Sequence, residues 1–217
     1  MRSFNPSNPP DLSVLEHYNV NRAKQVEVIW QPKYDYQTYA AAGTTKITFF
    51  QSTVGTGGTT LADTNMEASG QVPSPKAQLV TGIQVFFDAG NAVAQATAAA
   101  TAQENWNDVT DVLLGSAYLN FFVGSKDYLT DAPLAKFAQQ FCVGGTADSA
   151  YTGTNATPLG TIVDYAVGRG RYYAITPVKL PSNQNFNVSL NFPTAIAINT
   201  DARIGVILDG FEYRLSQ

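Results

Sequence analysis

The chain of 217 residues carries a formal net charge of -4, and 14% of its residues are charged, against about 25% in ordinary soluble domains. That length suits one well-filled core and is short for two independent domains. The acidic balance, with no basic tail, excludes a protein that holds nucleic acid through clustered lysine and arginine on its phosphates.

Residues 1–25 contain Pro6, Pro9 and Pro10 among several Asn and Ser, a composition that buries little and predicts an extended N-terminal arm ahead of a single domain at 26–217. Arg2 and Phe4 are candidate subunit contacts on that arm, and His17 falls within it. The strands then begin. Val26, Val28 and Trp30 alternate with polar neighbours, Ile47 and Phe49 share a face within 45–51, and Leu79, Ile83, Val85 and Phe87 mark a longer strand. Between the first two, Tyr34, Tyr36 and Tyr39 stand beside Asp35 and Gln37, which reads as a loop that meets a partner, and all three tyrosines are candidate contacts. Both tryptophans, Trp30 and Trp106, are expected in the core.

From Asn91 to about Leu114 the texture turns to Ala, Gln and Thr, predicting the one helical insertion, with Asn91 as N-cap and Gly115 as stop. Asn107 or Asp108 would start a second short helix carrying Val109, Val112 and Leu113. Ala117, Leu119, Phe121 and Val123 then share a strand face, Gly124-Ser125 signals a turn, and a short strand runs through Tyr128 and Leu129. Residues 141–161 read as loop. Cys142, the single cysteine, sits between Phe141 and Val143 and behaves as a small hydrophobe with no internal disulfide partner. Arg169-Gly170-Arg171 is a compact basic spot, and its two arginines suit carboxylates on a neighbouring subunit. Residues 171–176 and 185–192 are further strands; in the second, Phe186, Val188, Leu190 and Phe192 alternate with Asn185, Asn187, Ser189 and Asn191, one dry face and one wet. In the last strand, 202–215, Ile204, Val206 and Leu208 share one parity while Phe211, Tyr213 and Leu215 take the other. The slip at Asp209-Gly210 predicts a β-bulge there, with an Asp-Gly hairpin as the alternative. About eight antiparallel strands with long connections and one helix near 91–114 predict an all-β, jelly-roll-type antiparallel β-sandwich.

The common chemical signatures fail on their requirements. The glycine run at 54–60 has no lysine to reach a phosphate. Asp63, Asn65 and Glu67 begin like a calcium loop, but Ala68 and Ser74 occupy the positions that need Gly and Glu. His17 and Cys142 are too few for a metal site. No cofactor, metal or catalytic residue is predicted. The chain start lacks the apolar run of a secretory signal, and no stretch approaches about 18 apolar residues, so no transmembrane segment is expected; the glycosylation patterns at Asn155 and Asn187 then read as chance matches.

Several segments taken together carry a resemblance: Thr48-Phe49-Phe50, Leu61-Ala62-Asp63-Thr64-Asn65-Met66, Gly70-Gln71-Val72-Pro73, Gly124-Ser125-Lys126-Asp127-Tyr128-Leu129, and Leu208-Asp209-Gly210-Phe211-Glu212-Tyr213-Arg214. With the strand pattern they resemble jelly-roll coat proteins of tailless icosahedral bacteriophages, across most of residues 26–217. The resemblance implies a capsid subunit located in the virion and assembled in the host cytoplasm. It would associate with copies of itself in a trimer or larger capsomer around the genome, pair with a second coat or vertex protein, and lie near an internal membrane or the genome without specific nucleic-acid binding. The chain is too short for two full jelly rolls, which leaves main coat, vertex, spike and decoration roles open. The alternative is a carbohydrate-binding or carbohydrate-cleaving β-sandwich that stacks Trp106, Tyr172 or Tyr173 on sugar rings.

Overall fold

The computed structural model describes residues 26–88, 108–138, 173–198 and 200–215. Among these residues nine strands run β1 (Val26–Trp30), β2 (Lys33–Tyr39), β3 (Lys46–Phe49), β4 (Ala77–Asp88), β5 (Tyr118–Val123), β6 (Lys126–Pro133), β7 (Tyr173–Leu180), β8 (Phe186–Asn191) and β9 (Ala202–Leu215). β1 and β2 are one interrupted strand. Both pair antiparallel with β9 in a single unbroken register, from Val26 opposite Leu215 to Tyr39 opposite Ala202. The interruption falls at Gln31-Pro32, where the Gln31 N–H still donates to the Gly210 carbonyl but Pro32 has no N–H to give.

Counting β1 and β2 together, eight strands nest as four antiparallel pairs: β1/β2 with β9, β3 with β8, β4 with β7, β5 with β6. Pairing of β9 with β4 and of β8 with β5 wraps this long double ribbon into two sheets, ordered β1/β2-β9-β4-β7 and β3-β8-β5-β6. A ribbon of antiparallel pairs wound on itself into two facing sheets is a jelly roll. The wound order also sorts the connections. β2, β4, β6 and β8 end at one end of the sandwich, and β3, β5 and β7 end at the other with the start of β1 and the end of β9.

The core follows from the alternation. Phe186, Val188, Leu190 and Phe192 are buried against Leu119, Phe121 and Val123 of the same sheet and face Val80, Ile83, Val85, Phe87, Ile204, Val206 and Leu208 of the other. Burying each such side chain contributes about 1.5–3 kcal/mol relative to leaving it exposed. The wet side of 185–192 is the outer side: Asn187 and Asn191 are half-buried, and Ser189 accepts a 3.3 Å hydrogen bond from the Asn191 amide. In the helical region the described part is a helix at 108–114, which buries Val112 and Leu113 in the core with Val109 packed beside them. Asn91, the expected N-cap, lies outside the described residues, as do Trp106, Cys142, His17 and the arm at 1–25.

Two expectations need correction. Residues 33–39 form strand β2, not a loop. And β9 contains neither a bulge nor a hairpin: it runs straight through Asp209 and Gly210, and the extra residue sits in β4, where the register against β9 shifts between Val80 and Gly82 and leaves Thr81 unmatched. Gly210 is needed for closeness, since a Cβ there would lie 2.0 Å from the Leu79 carbonyl oxygen. It does not adopt the left-handed backbone expected of a bulge glycine.

Candidate interaction face

Because β9 does not slip, its apolar residues divide between two faces. Ile204, Val206 and Leu208 point into the sandwich; Phe211 and Tyr213 point out of it. The bulge at Thr81 does the same to β4, sending Ile83, Val85 and Phe87 inward but Ala77 and Leu79 outward. The register then gathers the outward set: Ala77 lies opposite Tyr213, Leu79 opposite Phe211, and Val28 of β1 opposite Tyr213 on the other side. These five residues form a second hydrophobic cluster, separate from the core.

An antiparallel sheet in a sandwich ordinarily gives its outer face to water and writes it in polar residues. This one is apolar where β1, β9 and β4 lie side by side, at the end where β1 and β4 begin. Ala77, Leu79 and Tyr213 are only 4–6% exposed, and among the described residues their apolar packing partners, Val28 and Phe211, belong to the same sheet. The Tyr213 hydroxyl is buried and has no hydrogen-bond partner among the described residues, and burial pushes its pKa up to about 12. Beside the cluster, Trp30 is 68% exposed, its indole N–H donating to Asp209 Oδ1 at 2.7 Å.

The same face continues toward the other end of the sheet as an aromatic group. Tyr36 packs at 5.8 Å from Tyr34 and edge-on to Phe86 at 5.7 Å, with the Arg203 guanidinium 4.1 Å above its ring. Burial raises the Tyr36 hydroxyl above the usual tyrosine range, and the Arg203 charge pulls it partly back. Gly205 makes room for that ring: a Cβ there would lie 2.0 Å from Tyr36 Cδ1.

Three of the sheet edges, at β2, β7 and β6, are guarded against strand pairing. The free edge of β2 is taken by the loop at 60–66, where the Tyr36 N–H donates to the Asp63 carbonyl, the Asn65 N–H to the Tyr34 carbonyl, and the Asn65 amide to the Pro32 carbonyl. The calcium-like run thus serves as an edge cover, and Asp63 caps the Thr60 N–H at 2.9 Å. At the far edges β7 contains Pro177, while β6 carries Lys126, Asp127 and Asp131 and two register shifts against β5. Short, charged, bulged or proline-bearing edges discourage intermolecular sheet extension.

Of the predicted contact residues, Tyr34 and Tyr36 lie on this outer face, half-buried, with the Tyr34 hydroxyl donating to the Leu61 carbonyl at 2.6 Å. Tyr39 does not: it is a fully buried core residue, edge-on to Phe87 and Phe192, with its hydroxyl on the Ile196 carbonyl at 2.7 Å, so it has no surface to offer a neighbour. Trp30, expected in the core, is on the surface. Arg2, Phe4, Arg169 and Arg171 lie outside the described residues. Tyr173, a candidate sugar platform, has Phe137 edge-on at 5.3 Å and the Lys136 ammonium 5.2 Å over its ring. Val28, Leu79, Phe211 and Tyr213 were not predicted as a site, although the parity switch in β9 was their signal. Among the described residues no cluster of His, Cys, Asp and Glu could hold a metal ion, and no helix is long and apolar enough to cross a membrane. Comparison with protein-family models, with curated proteins and with solved structures returns no match.

Proposed function

We propose that this chain is a structural subunit of a viral shell, a jelly-roll coat protein that associates with copies of itself through the outer face of its β1/β2-β9-β4-β7 sheet. The observation that carries the reading is the second apolar cluster on the side of the sheet away from the core. The accessible apolar groups there are Trp30, 68% exposed at the cluster's margin, and the half-buried Val28 and Phe211, and exposed apolar groups gathered on one face mark a protein contact. A neighbouring subunit would cover Trp30 and the half-buried Val28. The low charge of the whole chain supports an outside that meets other subunits, and the guarded edges favour face contacts over open-ended sheet growth.

Sedimentation velocity and electron microscopy of the purified full chain test the reading. Defined oligomers or closed particles are expected, and Trp30→Ser together with Val28→Ser should return them to monomers while leaving the unfolding free energy from urea titration within about 1 kcal/mol of the parent. A wild-type chain that stays monomeric at high concentration and forms no particle would sink the proposal.

A further inference from the structure

At the end of the sandwich opposite the helix, the β5–β6 turn meets the β7–β8 connection. The Gly124 N–H donates to the Asn185 carbonyl at 2.7 Å, and Gly124, at φ 63°, leaves the room against which the Gln184 side chain lies. Tied together in this way, the two segments wall a cleft of about 400 Å³, within the range of small-molecule sites. Val123 and Pro181 give it an apolar floor, Ser125 and Gln184 give it hydroxyl and amide groups, and Lys126 and Lys179 give it positive charge with no carboxylate in the lining. In a chain of net charge -4 this is a locally cationic spot. Lys126 enters no ion pair among the described residues. Tyr128, 45% exposed, completes the lining, and its ring is held 6.3 Å from that of the buried Phe121.

We propose that this cleft binds an acidic saccharide, a sugar ring bearing a carboxylate. The parts divide the ligand between them: Tyr128 supplies an aromatic face for the ring, the lysine charges meet the carboxylate, and Gln184 and Ser125 exchange hydrogen bonds with ring hydroxyls. A bare anion would use the lysines and ignore Tyr128; a neutral sugar would use Tyr128 and ignore the lysines. The cleft borders the apolar sheet face, because Lys179 lies opposite Leu79 in the pairing of β7 with β4.

Isothermal titration of the full chain with 3′-sialyllactose, lactose and inorganic phosphate tests the assignment. Saturable binding of sialyllactose is expected, about tenfold or more tighter than lactose, with Lys126→Glu and Tyr128→Ala each weakening it by about tenfold or more. Both positions are exposed, and circular dichroism of the two variants confirms that they are folded. No saturable binding of sialyllactose, equal affinity for lactose, or phosphate binding that matches sialyllactose and survives Tyr128→Ala would each overturn the proposal.

Discussion

Gly205 and Gly210 sit in the same strand, both without room for a Cβ, yet the groups that exclude it differ in kind. At Gly205 the obstacle is the Tyr36 ring, a side chain that a second substitution can remove; at Gly210 it is the Leu79 carbonyl, part of the backbone ladder beside the Thr81 bulge. Gly205→Ala should cost about 1–3 kcal/mol, and most of that cost should vanish in a Tyr36→Ala background. Gly210→Ala should cost at least as much, with no side-chain truncation able to relieve it. Urea unfolding of the single and double variants reads the difference, and an unrelieved Gly205→Ala would show that Tyr36 is not what excludes the methyl group. Asp35 is a second residue whose setting makes a prediction. Its carboxylate is buried and accepts from the Phe50 N–H at 2.6 Å and the Gln37 amide at 3.2 Å. Burial is the largest influence and raises its pKa above the usual aspartate range, while the hydrogen bonds from Phe50, Gln37 and Thr64 act against it. Between the unfolded value near about 3.9 and the raised native value, the folded chain holds the proton more tightly, so Asp35 makes stability fall as pH rises through that window. In Asp35→Asn the drop across the window should flatten relative to the parent, measured as urea midpoints from about pH 4 upward. An unchanged slope would reject the assignment.

At the scale of elements, the Thr81 bulge decides which side of the sheet each residue of the first third of β4 faces. Deleting Thr81 would restore an even register with β9 and turn Ala77, Gln78, Leu79 and Val80 over. The fully buried Val80 would go to the outer face, and Gln78, whose amide donates to the Gln31 carbonyl at 2.8 Å, would lose its place beside the strand break. The expected result is loss of cooperative unfolding or destabilisation by about 3 kcal/mol or more, read by urea titration with fluorescence. Native stability in the deletion would mean that the bulge does not set the faces. The bulge also explains what was legible. Strand β8 could be read directly because its inward residues are apolar and its outward ones polar. Strand β2 could not, because it reverses that rule: Lys33, Asp35 and Gln37 face inward, the first in a buried 2.8 Å ion pair with Glu212, while Tyr34 and Tyr36 face outward. A polar-in, aromatic-out strand has the composition of a loop. In β9 the parity switch was visible, but a single strand cannot say whether it bulges or simply has apolar residues on both faces; the partner strand carries that information.

For the whole molecule, alternation and spacing were enough for an eight-stranded sandwich, because each strand's dry face demands an opposing one. They were not enough for the interaction face, which exists only after β1, β4 and β9 are brought side by side. Trp30 and Tyr39 illustrate why: by residue type the tryptophan belongs inside and the tyrosine beside a partner, and register reverses both. The character of that face then predicts how an assembly of these subunits should respond to salt. Contacts made by charge weaken as the screening length shrinks to about 3 Å at 1 M salt, whereas burial of apolar surface is unharmed by sodium chloride and strengthened by sulfate. The face centres on Val28, Ala77, Leu79, Phe211 and Tyr213, with Arg203 at its far end already engaged by the Tyr36 ring and the Ala62 carbonyl. Oligomers held through it should keep the same sedimentation coefficient from about 0.1 M to 1 M sodium chloride and should form at lower protein concentration in ammonium sulfate. Dissociation in 1 M sodium chloride would instead place the contact on charged groups elsewhere on the chain and remove this face from the assembly.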